Sequence, residues 1–495
     1  MALGIAVAIV LATVLGAIAY GRRTAARPTM AGWAVGGRRF GPVLFWFMNA
    51  GEIYTIFALL GISGYAYALG APAYLAFTSV SLSYALGYWL MPKIWQAGRR
   101  HDLLTQPDFF AARYDAPWLG VVTGVVGIAA LVVYVQIQLV SLRLIVDIAL
   151  GDVLPEWAAV AIGAALMLAF VMTVGLRSAA FSAAVKDVLV VVLVVGLAVT
   201  VASRVGAASM LDVFRLVEER HPGIGSLPGL QPEAHTDSVW LMTSALTVAL
   251  GNWVFPHLFQ MSFSARSATA IRRNAVWQPL YSLSYFFIVL LGFAALLAGV
   301  QPTQSNANDA LVQLVATTYP PWAVGVFAGT SFLLALAPGS VLLLTVGSIF
   351  ARNVLRPLRP ALTDRGALQA SRVAMVVLAG VAVWLTLGDD ASLVQILLYA
   401  YAAIGMLAPG VFLAFLWRRT TAIGVLAGIV VGFVALLAPF ASNLWAVALP
   451  NWEPGLIAMA IAAVVTVAVS MLTRPPKAAA VAVGMPTPAV AETAR

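Results

Sequence analysis

The sequence predicts an all-α membrane protein of about thirteen transmembrane helices, built as a five-plus-five inverted repeat with one extra N-terminal and two extra C-terminal helices. Three observations carry that prediction. The composition is too apolar for a water-facing surface. Basic residues alternate from loop to loop. Two hydrophobic runs, five helices apart, are interrupted by polar residues and a proline.

Of the 495 residues, 62% are hydrophobic and 9% charged, with a mean hydropathy of +0.95. A soluble domain carries about a quarter charged residues, so the solvent for most of this surface is lipid. The chain has no Cys, which excludes disulfides, thiolate metal sites and cysteine nucleophiles. Its four histidines, His101, His221, His235 and His257, form no metal-spaced cluster. No Gly-rich GK[ST] segment occurs, which argues against a nucleotide-driven pump. Neither a nucleophile–base pair nor a metal site is legible, so the chain is expected to be no enzyme and to hold no cofactor.

Runs of about 20 apolar residues are needed to cross a bilayer. They occupy 2–20, 41–66, 71–92, 117–149, 154–175, 180–203, 238–262, 275–299, 321–350, 369–387, 391–416, 420–441 and 453–473. They make one domain over 1–473, with repeat one at about 41–203 and repeat two at about 238–416. The segment 474–495, rich in Ala, Pro and Val, reads as a disordered tail. The first run has no basic segment ahead of it and is followed by Arg22, Arg23 and Arg27, so it reads as a retained helix with the N-terminus outside. On that topology 23 of the 28 basic residues fall in the loops of one side, and the opposite loops hold Arg204, Arg215 and Arg220. The pattern places the C-terminus in the cytoplasm of an inner membrane. It also makes the net charge of +9 a topology signal, and no nucleic-acid partner is expected.

Polar groups at membrane depth are costly and mark function. The second run reads Phe47-Met48-Asn49-Ala50-Gly51-Glu52-Ile53-Tyr54-Thr55, with Glu52 near its middle and Asn49 and Thr55 a turn away on the same face. The seventh reads Gly251-Asn252-Trp253-Val254-Phe255-Pro256-His257-Leu258-Phe259-Gln260, where Pro256 removes a helix hydrogen bond. Two interrupted helices in corresponding positions point to an inverted repeat whose broken ends offer free carbonyls to cations and free N–H groups to anions.

Four further segments fall in the loops between these runs. Gly36-Gly37-Arg38-Arg39 precedes the second run, and Thr105-Gln106-Pro107-Asp108-Phe109-Phe110 with Arg113-Tyr114 follows the third. Ala265-Arg266-Ser267 and Arg272-Arg273 follow the Phe255–Gln260 stretch, and Leu416-Trp417-Arg418-Arg419-Thr420 forms a late turn. Together and in this order they resemble the sodium:solute symporter family over nearly the whole chain. The resemblance implies a LeuT-like fold, a small-molecule solute, and Na+ or H+ as coupling ion. Gly51-Glu52-Ile53-Tyr54-Thr55 is similar to the branch that includes bacterial monocarboxylate permeases. The resemblance also implies a sodium site from Gly51, Tyr54, Asp187 and Ser340. One departure stands out: Ala337-Pro338 occupy the place of the Ser-Thr pair whose hydroxyls ligate sodium in many members. Sodium takes about five or six oxygens, and Ser340 and Thr345 lie one or two turns further on. That gives weight to a proton-coupled or uncoupled mechanism.

Each candidate has an ordinary alternative. Glu52 reads as a proton carrier, a cation ligand or a gate, against a hydrogen-bonded packing group. Tyr54, Thr55, Gln138, Asn252 and His257 read as solute contacts. The alternative for Asn252, Gln138 and Gln136 is interhelical hydrogen bonding, and for His257 a place in an inner vestibule. Arg143 reads as a snorkelling ion pair with Asp147 rather than a carboxylate clamp. Lys186 is read as snorkelling from the start of the sixth run. The many Trp, Tyr and Phe residues near helix ends read as interfacial belts. The expected function is cation-coupled symport of a small organic solute, a monocarboxylate among the options, by alternating access. The alternatives are an uncoupled uniporter and a transporter-like membrane sensor, the latter disfavoured by the lack of an appended signalling domain.

Overall fold

The computed structural model describes residues 1–24, 35–38, 40–150, 155–173, 176–303, 307–387 and 392–485. The described residues are helical throughout, apart from turns and an isolated bridge between Phe40 and Ala265. With no water in lipid to satisfy them, backbone groups must pair within each segment, which is why apolar runs of this length become helices.

The first helix, α1 (Ala2–Thr24), precedes the repeats. Repeat one begins with a broken helix, α2 (Pro42–Ile53) and α3 (Ile62–Leu69), joined through a π-helical turn at Phe57–Gly61 and bent by 49°. It continues through α4 (Leu75–Arg100), a short amphipathic α5 (Gln106–Tyr114), α6 (Pro117–Leu150), α7 (Glu156–Thr173) and α8 (Leu176–Arg204). A surface helix, α9 (Met210–Arg220), links the repeats.

Repeat two opens on a second broken helix, α10 (Ser238–Asn252) and α11 (Pro256–Ser262), bent by 52°. Then come α12 (Ala268–Ser282) and α13 (Ser284–Leu297), which run on as one span, the short α14 (Ala310–Thr318), α15 (Pro321–Ile349) and α16 (Asp364–Thr386). The repeat ends on the bent pair α17 (Leu393–Gly405) and α18 (Ala408–Leu416). Beyond it lie α19 (Ala422–Leu437), α20 (Pro439–Ala448), α21 (Pro454–Leu472) and α22 (Ala478–Gly484).

Among the described residues, seven helices are long and apolar enough to cross a membrane, and the four bent pairs raise that to eleven. The two other expected runs correspond to α4 and α7. The apolar part of α7, Trp157–Met172, is shorter, and α4 buries Ser79, Ser83 and Tyr84 against its neighbours. A helix enclosed by protein needs no all-round apolar surface.

Local signals fix several starts. Thr105 and Asp108 form a capping box at α5, Ser392 and Gln395 another at α17, and Asp237, Ser267 and Thr421 cap α10, α12 and α19. The segment read from composition as a disordered tail differs in part. Ala478–Gly484 is a helix that buries Ala480 and Val483 against α5, because its small residues admit close approach, and Gly484 packs against Ala414. Residues 486–495 lie outside the described residues.

Candidate functional site

The two breaks meet near the centre of the bundle, where α11 packs against α2. At the first, the helix stops at Ile53 and Tyr54 leaves helical geometry with ψ 78°. At the second, Pro256 starts α11 with no N–H to offer, and Trp253–Phe255 form the turn.

Each break frees carbonyls, and each is met by a side chain distant in sequence. The Lys186 ammonium, on α8, donates to Gly51 O at 2.7 Å and Tyr54 O at 2.9 Å. It forms an ion pair with Asp187 Oδ1 at 3.0 Å, and both side chains are buried. Gly51 permits this contact: a Cβ there would lie 3.1 Å from Ala183 Cβ and 3.3 Å from Lys186 Nζ. At the second break Gln106, on α5, donates to Val254 O, and the Trp253 indole donates to Ser83 O at 2.6 Å.

Aromatic rings enclose the space between the breaks. Tyr54 lies 5.0 Å from Tyr281 and 5.1 Å from Tyr285, centroid to centroid. Tyr134 packs against Phe255 and His257, and Phe255 meets Tyr401 edge-on. Tyr401 donates to Asn252 Oδ1 at 2.9 Å. A mostly apolar cavity beside the first break is lined by Ile53, Phe57, Tyr134, Tyr285, Val394 and Tyr401, among others.

Buried polar atoms are normally hydrogen-bonded, so unpaired ones mark places where a ligand or water belongs. Glu52 Oε2, Thr55 Oγ1, both amide atoms of Gln138, Asn252 Nδ2 and both nitrogens of His257 are buried with no hydrogen-bond partner. Tyr54 Oη approaches Ser284, and Tyr134 approaches Thr55, without hydrogen-bond geometry. Neither Asp187 oxygen accepts a hydrogen bond of good geometry, although Lys186 is its ion-pair partner.

The structure thus brings Glu52, Tyr54, Thr55, Asn252 and His257 around the two breaks, with Gly51 and Asp187 beside Lys186. Gln138 is fully buried on α6, the helix that also carries Tyr134. Ser340 stands apart from that group in its bonding: its hydroxyl donates to Leu336 O in its own helix, at 2.6 Å. Thr345 does the same to Val341 O. Among the described residues no group of three or more His, Cys, Asp or Glu is placed to hold a metal. The oxygens at the first break do not fit a sodium ion as they stand, because the ammonium already uses them.

One reading changes. Lys186 does not snorkel: it is fully buried. The helix begins at Leu176, ahead of the expected 180, so Lys186 lies almost three turns in. Tyr134, Tyr281, Tyr285 and Tyr401 join Tyr54 at the centre and were not singled out in the sequence, although Tyr134 and Tyr401 fall mid-run. Arg143 is half-buried, and the expected partner's side chain, Asp147, lies outside the described residues.

One end of the bundle is clasped by side chains from both repeats. Arg352, just after α15, donates from Nε to both oxygens of Asp108 at 2.7 and 3.0 Å. Asn353 donates to Asp108 Oδ1 at 2.7 Å and accepts from Thr105 Oγ1 at 2.8 Å. Arg113 is buried and reaches Ala414 O and Trp417 O at the end of α18.

A family model for the sodium:solute symporter family matches residues 33–432. The uncharacterized symporter YhjB of Bacillus subtilis is 34% identical over 459 residues, covering 90% of this chain and 92% of that one. The monocarboxylate transport permease protein of Rhizobium johnstonii is 26% identical over 375 residues, 74% of each chain. A substrate-bound, outward-open Na+-coupled sialic acid symporter superposes with a TM-score of 0.78 at 15% identity, covering 96% of this chain and 98% of that one. That likeness is one of fold, the LeuT-like inverted repeat. The family and the relatives are transporters, not enzymes. On the family match over residues 33–432 and the 34% identity across nine-tenths of the chain, this multi-pass membrane protein belongs to the sodium:solute symporter family.

Proposed function

We propose that this chain is a secondary active transporter that couples the entry of a small organic solute, a monocarboxylate, to a downhill cation gradient. The observation that carries the reading is the meeting of the two broken helices around buried polar atoms that have no protein partner. An inverted-repeat transporter keeps its solute site at such a meeting of half-helices and exposes it to each side in turn. Asn252, Thr55 and His257 are the solute contacts in this reading, with the tyrosine ring cluster as the wall against which an apolar solute body packs. Gln138 is a further contact from α6. Glu52 supplies the buried carboxyl on which the cation gradient acts. The basic loops set the orientation, with the N-terminus outside and the C-terminus in the cytoplasm of the cell membrane. The 26% identity to a monocarboxylate permease supports the solute class.

Uptake of radiolabelled lactate or pyruvate into proteoliposomes tests this, with sodium and proton gradients imposed separately and an ionophore control for each. Gradient-driven accumulation is expected, and Glu52→Gln abolishes it. Wild-type accumulation by that variant removes Glu52 from the mechanism. No uptake under either gradient removes the monocarboxylate.

A further inference from the structure

We propose that the Lys186 ammonium is a built-in cation that takes the place of sodium between the first broken helix and α8, so that this transporter works without sodium at that position. The inference rests on the transporter reading above and concerns the same central site.

The geometry is that of an ion in a cradle. The Lys186 Nζ sits 2.7 Å from Gly51 O, 2.9 Å from Tyr54 O and 3.0 Å from Asp187 Oδ1, with no exposed surface. An ammonium has three donors; here two carbonyls accept from it and the Asp187 carboxylate balances its charge. Two of them are carbonyls released by the break at Tyr54, the groups a broken transmembrane helix offers to a cation. A sodium ion would need the same lone pairs and would sit against a like charge. It would also need about five or six oxygens in all. The hydroxyls that follow Ala337-Pro338 on α15 donate their protons within their own helix, Ser340 to Leu336 O and Thr345 to Val341 O.

Among the described residues the surroundings supply one charge balance and no second cation. Asp187 lies beside the ammonium, and Glu52 feels the field of both. The tyrosines Tyr54, Tyr84, Tyr281 and Tyr285 feel the field of Asp187. The described length of α15, which packs along α8, carries no ionisable side chain. Gly51 completes the fit, since any side chain there would press on Ala183 and Nζ. Two buried charges on adjacent residues of one helix, one of them bonded to another helix's broken end, cost too much to be kept as ordinary packing.

The test uses the purified full-length chain and needs no knowledge of the solute. Thermal unfolding is followed while NaCl replaces choline chloride at constant ionic strength. The wild-type midpoint is expected to stay fixed. Lys186→Ala empties the cradle and lowers the midpoint, and sodium or ammonium chloride, but not choline, restores part of the loss. A wild-type midpoint that climbs with sodium overturns the proposal, as does a Lys186→Ala loss that no small cation repairs. Should Lys186→Ala fail to fold, Lys186→Arg is read in its place, with no sodium response expected and a sodium response overturning the proposal. In proteoliposomes, lactate uptake at equal rates in sodium and choline buffers agrees with it, and sodium-stimulated uptake sinks it. Absence of lactate uptake in every buffer removes the solute assignment and leaves the cation result to stand on the unfolding data.

Discussion

Gly51 leaves a gap just wide enough for the closest contact between the first broken helix and α8. A Cβ at that position would lie 3.1 Å from Ala183 Cβ, tighter than ordinary van der Waals contact, so Gly51→Ala pushes the two helices apart or displaces Lys186 Nζ. Overpacking of this kind costs about 1–3 kcal/mol. Gly51→Ala is therefore expected to lower the unfolding midpoint, and Gly51→Val more so; an unchanged midpoint in both would show that the cradle is slack. The side chains at this scale divide by how far away their partners are. Glu52, Asn252 and His257 could be singled out because a polar residue inside an apolar run is costly wherever it points. Lys186 could not, because its partners are the carbonyls of Gly51 and Tyr54, 135 and 132 residues away. A lysine near a helix start reads as snorkelling until the partner is known. Gln106 was in view only as part of a family-like segment. Its role, holding Val254 O at the second break, depends on a fold that brings α5 to α10 and α11.

Broken helices are the elements that define this bundle, and the sequence marks them differently. Pro256 announces the second break by chemistry, since it has no N–H and starts a new helix. The first has no proline, and only its glycines and Glu52 hinted at it; the free carbonyls there are held by Lys186 rather than by local turn chemistry. Runs and their order were legible because lipid demands about 20 apolar residues per crossing. Ends were not, and the four residues by which α8 starts early are what put Lys186 at depth. Helix pairing was also out of reach before the structure. Gly424, Gly428 and Gly432 lie one turn apart on α19 and let α21 approach through Ala462, Thr466 and Ser470. Small residues at this spacing replace the missing hydrophobic drive between helices in lipid. A Cβ at 428 would lie 2.6 Å from Ala462 O, which is backbone and cannot yield. Gly428→Leu is expected to separate α19 from α21 and to lower the unfolding midpoint by several degrees, for about 1–3 kcal/mol of overpacking. Because this pair lies outside both repeats, lactate uptake per folded molecule should change little. A variant with wild-type stability would show that the two helices are not in this contact.

Alternating access asks the whole molecule to open one end while closing the other, and the clasp at Asp108 is one place where the two repeats hold each other. Asp108 belongs to α5 in repeat one, and Arg352 and Asn353 follow α15 in repeat two. The pair is mostly shielded, with 28% of the Arg352 side chain and 13% of Asp108 exposed, and the one Nε–H is shared between both carboxylate oxygens. The same carboxylate caps α5 through Leu104 N and Thr105 N, so one group closes both a helix start and the inter-repeat seam. A rocking motion at this end must break these bonds, which are worth about 1.5–3 kcal/mol each when one partner is charged. Asp108→Asn removes the charge and keeps the shape. Losing one such contact shifts an open–closed balance by about tenfold or more towards the state in which this end is open. The chain contains no Cys, so a single reporter is readily placed. Ser262→Cys puts it at the fully buried end of α11, the helix that packs against α5. Its labelling by a water-soluble maleimide is expected to speed up on Asp108→Asn and to return towards the wild-type rate when Asp108 is restored. Equal labelling rates with and without Asp108 would mean that the clasp holds the helix start alone and that the repeats are kept closed elsewhere.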